Sequence, residues 1–195
     1  MIDVNLFSRV NSSNDKILHY IRQNSININY YDEDIGETLL HLAIRRNNYK
    51  LVKLLIQLDC DIDNINVLGE TPILLSLKLG YNKISELLIK NNCCLLLTDN
   101  YNKSVLHNAI LYSSEKILEL LLNQKYININ SRDNDGNSAL HLTCFNKNIK
   151  KAILLVKGGI DINVLNKKHR TELSVAINKG NIELIYYLIM NNCKC

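Results

Sequence analysis

A chain of 195 residues with 47% hydrophobic and 22% charged residues and a single proline has neither a disordered nor a membrane composition. Its formal net charge of +4 is too small to demand nucleic acid, and no apolar run approaches the roughly 20 residues that cross a bilayer. Residues 1–10 hold Asp3, Asn5 and Arg9 and no long apolar block, so no secretory leader is read there and a cytosol-like compartment is expected.

In chain order, residues 4–10 and 14–24 predict two short helices, the second with Ile17, Leu18 and Ile21 on one side. Beyond them a frame recurs. Thr38, Thr71, Ser104, Ser138 and Thr171 are separated by 33, 33, 34 and 33 residues, a regularity that marks an internal repeat. Each hydroxyl suits a helix N-cap. Helices are predicted near 38–47 and 49–58, then in the same places of the next copy, where Pro72 takes the first helical position, which needs no amide proton. One residue inserted near 124–126 accounts for the spacing of 34.

The copy over 132–163 shows the parts plainly. Asp133, Asp135 and Gly136 carry turn chemistry, and Ser138 caps a short helix with Leu140, Thr143 and Cys144 on its small apolar side. Ile149, Ile153, Leu154 and Val156 give a second helix its inner face, and Gly158 and Gly159 end it. The last copy closes with a helix over 182–190. A turn and two short helices cannot bury a core alone, so copies must lean on their neighbours.

GETLLHLAI from Gly36, GETPILLSL from Gly69, NKSVLHNAI from Asn102, GNSALHLTC from Gly136 and HRTELSVAI from His169 resemble the TPLHxA signature of the ankyrin repeat. The resemblance implies an all-α solenoid of helix-turn-helix units with β-hairpin-like tips. It sets a degenerate capping repeat at 1–30 before five repeats at about 31–63, 64–95, 96–130, 131–163 and 164–195, in one continuous solenoid. It also implies a non-enzymatic protein-binding module without cofactor or metal.

The residues that could carry other chemistry have simpler roles. His41, His107 and His141 share one motif position, where the family's histidine bonds the hydroxyl three residues earlier and the adjoining loop; Leu74 and Ser174 stand there in the other copies. Cys60, Cys93, Cys94, Cys144, Cys193 and Cys195 follow no disulfide framework and no four-ligand zinc spacing, so reduced thiols are expected. Asp133 and Glu37 read as turn and cap residues. Asn29, Asn130 and Asn163 lie where asparaginyl hydroxylases modify ankyrin proteins, with loop geometry as their simpler role. No phosphate-cradling glycine loop, HExxH or GxSxG occurs, and no enzyme is expected.

In the family, hairpin tips and the ends of first helices line a concave binding face. Carried over, these positions are Asp34, Ile35, Glu37, Arg45 and Arg46; Val67, Leu68, Glu70, Lys78 and Leu79; Asn100, Tyr101, Lys103, Leu111 and Tyr112. The last two copies add Asn134, Asp135, Asn137, Phe145 and Asn146, then Lys167, Lys168, Arg170, Asn178 and Lys179. Leu68, Leu79, Tyr101, Leu111, Tyr112 and Phe145 are large apolar candidates for an interface, flanked by Arg45, Arg46 and Lys78 and by Lys167, Lys168 and Arg170.

Asn and Ile each make up about an eighth or more of the chain, a bias towards A/T-rich codons. Among ankyrin proteins this is similar to short stand-alone poxvirus- or polydnavirus-type proteins. DIGETLLHLAI from Asp34 resembles the first ankyrin unit of the inhibitors of NF-κB, though without a phosphodegron before the array or an acidic tail after it. The reading is a viral effector that binds and inhibits a host innate-immune signalling protein, a monomer in the host cytoplasm with the nucleus as a second compartment. Nucleic acid and membrane are not expected partners. The alternatives are a host-range factor or adaptor for another host protein, or an effector of an intracellular bacterium.

Overall fold

The computed structural model describes residues 27–193 together with Lys16, His19, Ile21 and Gln23, which are helical. The rest of the helices expected at 4–10 and 14–24 lies outside the described residues. The chain forms two compact units, Met1–Cys94 and Leu95–Cys195. Among the described residues the first contains α1 (Leu39–Arg45), α2 (Tyr49–Gln57), α3 (Pro72–Lys78) and α4 (Asn82–Lys90). The second contains α5 (Val105–Tyr112), α6 (Glu115–Leu122), α7 (Ala139–Asn146), α8 (Ile149–Lys157), α9 (Glu172–Asn178) and α10 (Ile182–Met190). Strand geometry among them is confined to single antiparallel bridges, Tyr31 with Thr38 and Arg132 with Ser138, which close hairpin-like tips. The architecture is the expected all-α repeat.

The helices start where the caps predict. Thr38, Thr71, Ser138 and Thr171 accept the amide three residues on, and Pro72 occupies the first turn of α3. Second helices use asparagine, with Asn48, Asn148 and Asn181 accepting from Leu51, Lys151 and Leu184. Part of the asparagine excess is therefore helix chemistry.

Within each unit, first helices pack on first helices and second on second, as α1 on α3, α2 on α4, α5 on α7, α7 on α9, α6 on α8 and α8 on α10. Each helix thus buries one face against its own partner and another against a neighbouring copy in the same unit. Leu39, Leu40, Ile44, Leu51 and Leu55 are fully buried in the first repeat, and Leu140, Cys144, Ala152 and Leu155 in the fourth. A buried side chain of leucine size stabilises by about 1.5–3 kcal/mol.

One expected face is corrected. In α8 the buried residues are Lys151, Ala152 and Leu155, while Ile149, Ile153, Leu154 and Val156 are half-buried. The helix is held against α6, α7 and α10 together, so its central line is the buried one and the expected residues flank it.

Lys151 stands thirteen residues after Ser138, the N-cap of its repeat's first helix, where the other repeats place Leu51, Ile84, Ile117 and Leu184. The reason lies one repeat earlier. Nine residues after the N-cap, Asn47, Gly80, Lys147 and Gly180 adopt positive φ. The next amide then reaches back into the first helix, as Asn48 N–H does to Ala43 O at 2.9 Å. In the third repeat Ser113 is extended instead, at φ −106 and ψ 170. There the Lys151 ammonium donates to Ala109 O, Ile110 O and Ser113 O at 2.9, 2.8 and 2.6 Å, capping α5 from the neighbouring repeat. Burial lowers the pKa of this ammonium, against the opposing influence of Glu115.

Candidate protein-docking face

Each hairpin tip is shaped by one carboxylate or amide. Asp32 Oδ1 accepts from the Asp34 and Ile35 amides, Asn66 Oδ1 from Leu68 and Glu70, and Asp99 Oδ1 from Tyr101 and Lys103. Asp133 Oδ1 takes Asp135 and Asn137, and Asn166 Oδ1 takes Lys168 and Arg170. Asx turns of this kind fix the loop without help from a sheet.

Neighbouring tips within a unit are tied by backbone bonds, Val67 N–H to Ile35 O at 3.1 Å, Asn134 N–H to Tyr101 O at 2.9 Å and Lys167 N–H to Asp135 O at 2.9 Å. Gly36 and Gly136 make the close approach possible: both have positive φ, and a Cβ on either would sit 3.0 Å from the next tip's amide nitrogen.

The three histidines brace the tips from inside. His41 Nδ1 accepts the Thr38 amide at 3.3 Å, and its Nε2 lies 3.1 Å from Glu70 O. An accepting Nδ1 puts the proton on Nε2, which donates to that carbonyl, so the ring serves this lattice as the neutral tautomer. His107 does the same between Ser104 and Asn137 O, and His141 between Ser138 and Arg170 O. Burial lowers the pKa of His41 and of His107, against the bond each makes to a backbone carbonyl. Asn29 and Asn130 accept from the Asp61 and Asp161 amides at 2.7 and 2.8 Å, and Asn163 donates to Asn192 O at 3.2 Å, so all three join successive loops.

The outward positions divide by unit. In the N-terminal unit Arg45 Nε donates to Glu37 Oε1 at 2.6 Å, and Lys78 pairs with Glu70. Glu37 and Glu70 are buried, as is Asn137 in the C-terminal unit, so the expectation of outward side chains at these three is corrected. Each carboxylate folds under the cation seven residues along its own first helix, and Asn137 bonds Asp133 and Asn166. Arg45 and Lys78 are thus charges already balanced, whereas Arg46, Leu68 and Leu79 are exposed as expected.

The C-terminal unit has no such pairs at the same places. The residue before the N-cap is Lys103, Asn137 or Arg170 instead of glutamate, and the residue seven after it is Leu111, Phe145 or Asn178 instead of a cation. Tyr101 is 60% exposed, Tyr112 48% and Phe145 39%, while Leu111 is half-buried. Lys179 Nζ lies 5.5 Å from the Phe145 ring centre and Lys103 Nζ 5.9 Å from that of Tyr101, within cation–π range. Lys167, Lys168 and Arg170 are exposed and in no ion pair among the described residues. Lys103 and Lys179 are among the carried-over face positions, but their place over the rings is not read from sequence; its signal is that a basic residue replaces glutamate before Ser104 and a lysine follows the end of α9.

The structure brings together Tyr101, Leu111, Tyr112, Phe145, Lys167, Lys168 and Arg170 in one unit, and Arg45, Arg46, Leu68, Lys78 and Leu79 in the other. Among the described residues no group of three or more His, Cys, Asp or Glu could hold a metal. Burial pushes the Cys60, Cys93 and Cys144 thiols up to about 12 and Cys193 to about 11, which keeps them protonated and poor nucleophiles. Among the described residues no helix is long and apolar enough to cross a membrane.

Family models agree with this geometry. Residues 6–56 match a model described as ankyrin repeats in many copies, and residues 58–133 and 127–195 match one of ankyrin repeats in three copies. The nuclear factor NF-kappa-B p105 subunit of Gallus gallus is 31% identical over 167 residues, 81% of this chain. The ankyrin repeat protein L371 of Acanthamoeba polyphaga mimivirus is 29% identical over 183 residues, 89% of the chain. The 26S proteasome regulatory subunit p28 of Saccharomyces cerevisiae is 28% identical over 161 residues, 81% of the chain. This chain spans 17%, 24% and 71% of those relatives' own lengths. Stacked helix pairs, tied tips, capping histidines and matching models together make the chain a member of the ankyrin-repeat family, a non-catalytic fold for protein–protein interaction.

Proposed function

We propose that this protein is a viral effector that binds and inhibits a host innate-immune signalling protein, docking it on the hairpin tips and first-helix ends. The observation that carries the docking reading is that Tyr101, Tyr112 and Phe145 are exposed on a scaffold that holds them by backbone bonds and helix packing. Large aromatic anchors on a rigid support lose little entropy on binding. Likeness to a mimivirus ankyrin protein supports the viral origin, and likeness to an NF-kappa-B subunit supports the signalling context. The working site in the C-terminal unit comprises Tyr101, Leu111, Tyr112, Phe145, Lys167, Lys168 and Arg170; Arg45, Arg46, Leu68, Lys78 and Leu79 form a separate candidate set in the N-terminal unit. The protein acts in the host cytoplasm, with the nucleus as a second compartment.

Affinity purification from transfected cells tests this, comparing wild type with the Tyr112→Ala/Phe145→Ala variant and probing for Rel-homology proteins first. A host signalling protein retained by wild type and lost from the variant is the expected result. Identical recoveries from both would remove the docking face from the account.

A further inference from the structure

The two units treat equivalent surface positions differently. Where the N-terminal unit neutralises Arg45 with Glu37 and Lys78 with Glu70, the C-terminal unit leaves Lys167, Lys168 and Arg170 without carboxylate partners among the described residues. Residues 95–195 hold thirteen Lys and Arg against eight Asp and Glu, and three of the eight, Asp99, Asp133 and Glu172, are buried. Asp135 is the one exposed carboxylate on these tips. Lys167 is placed by the structure: its amide donates to Asp135 O, and its Cγ lies 3.3 Å from where a Cβ on Gly136 would stand.

Resting on the docking reading above, we infer that the C-terminal unit takes an acidic protein segment carrying a large apolar side chain. The apolar group sits on Tyr112 and Phe145, and the carboxylates meet Lys167, Lys168 and Arg170. Charge complementarity favours this occupant over a neutral one, because approaching carboxylates meet cations that no carboxylate among the described residues pairs with. Half-exposed apolar surface at Leu111, Tyr112 and Phe145 favours a protein segment over a bare polyanion, which would leave it wet. Lys179 over the Phe145 ring adds a cation beside the apolar contact.

The test measures fluorescence anisotropy of the full chain with four probes: random copolymers of glutamate with tyrosine and of lysine with tyrosine, poly-glutamate, and a 20-nucleotide oligothymidylate. The glutamate–tyrosine copolymer should bind at least about tenfold more tightly than the other three and weaken as salt is raised. Lys167→Glu/Lys168→Glu and Tyr112→Ala/Phe145→Ala should each reduce its binding about tenfold or more with circular dichroism unchanged. Absent binding of that copolymer overturns the inference, as does equal or tighter binding of oligothymidylate or poly-glutamate. Preference for the lysine–tyrosine copolymer, still lost in Tyr112→Ala/Phe145→Ala, also overturns it but leaves the docking face standing. Binding of every probe unaffected by Tyr112→Ala/Phe145→Ala removes both.

Discussion

The N-terminal unit keeps apolar residues at two places under its helices and pairs Arg45 and Lys78 with its own carboxylates, and the C-terminal unit departs from both at the equivalent places. Leu39 and Pro72 start the first helices of the former, and Leu51 and Ile84 sit under its second helices, all buried. At the same places the C-terminal unit buries Glu172 and Lys151. Glu172 Oε1 lies 3.2 Å from both Ser138 Oγ and His141 Nδ1, while its Oε2 has no hydrogen-bond partner among the described residues. One scaffold can therefore spend its ionisable groups on holding itself together or on meeting something else, and the two units divide these tasks. Arg45 and Lys78 of the N-terminal unit brace their own tips, whereas Lys167, Lys168 and Arg170 of the C-terminal unit are exposed.

The largest effects should be alike in both units, which makes them the control. Leu40→Ala and Leu140→Ala, each removing a buried side chain from a first helix, should each cost about 2–5 kcal/mol in urea unfolding. A core penalty confined to one unit would break the comparison at its base. Next comes Lys151→Leu, which restores the residue type of the other repeats yet removes the ammonium that the carbonyls of Ala109, Ile110 and Ser113 accept from. It should cost about 1–3 kcal/mol, and Ser113→Gly added to it should recover most of that by allowing the left-handed closure seen at Gly80 and Gly180. No recovery in the double variant would show that the lysine does more than cap α5.

Acid should act on both units through their histidines. His41 and His107 have folded pKa values below the ordinary 6.5, so the unfolded chain binds more protons as pH falls below that value. Their contribution is complete above about pH 6.5 and is lost as pH drops through the folded pKa, so urea midpoints at pH 5 should lie below those at pH 7.5. A midpoint that rises on acidification would contradict the neutral tautomer. The smallest effects sharpen the surface contrast. Arg45→Ala uncovers the buried Glu37 carboxylate and should cost about 1 kcal/mol, while Tyr112→Ala and Phe145→Ala should stay within about 0.5 kcal/mol of wild type by thermal melting. Loss of folding in either aromatic variant would make it a core residue.

Most of the scaffold could be read from the sequence because its signals are local. Thr38, Ser138, Pro72 and the tip residues Asp133 and Gly136 act on amides or dihedrals within a few positions of themselves, so spacing alone locates them. What escaped depends on partners that lie far along the chain. The carbonyls met by Lys151 are 38 to 42 residues away, and an apolar pattern search passes over a lysine at a core position. The pairing of Glu37 with Arg45 crosses from a tip to the end of a helix. Reading the copies as columns shows it, since Glu/Arg and Glu/Lys recur at the same two places in the first two repeats and vanish afterwards. The exposed aromatics were legible as positions, while their balance of charge was not.

The lysine beneath α5 also limits how freely the modules of this chain can be rearranged. Set behind any repeat whose first helix already closes on itself, the fourth repeat would bring a buried cation with no open carbonyls to receive it; set before any repeat but the fourth, the third would lose the ammonium that caps its first helix. Deleting or duplicating either one alone should fail where moving the two as a block succeeds, so the smallest heritable segment of this stretch is a pair of repeats.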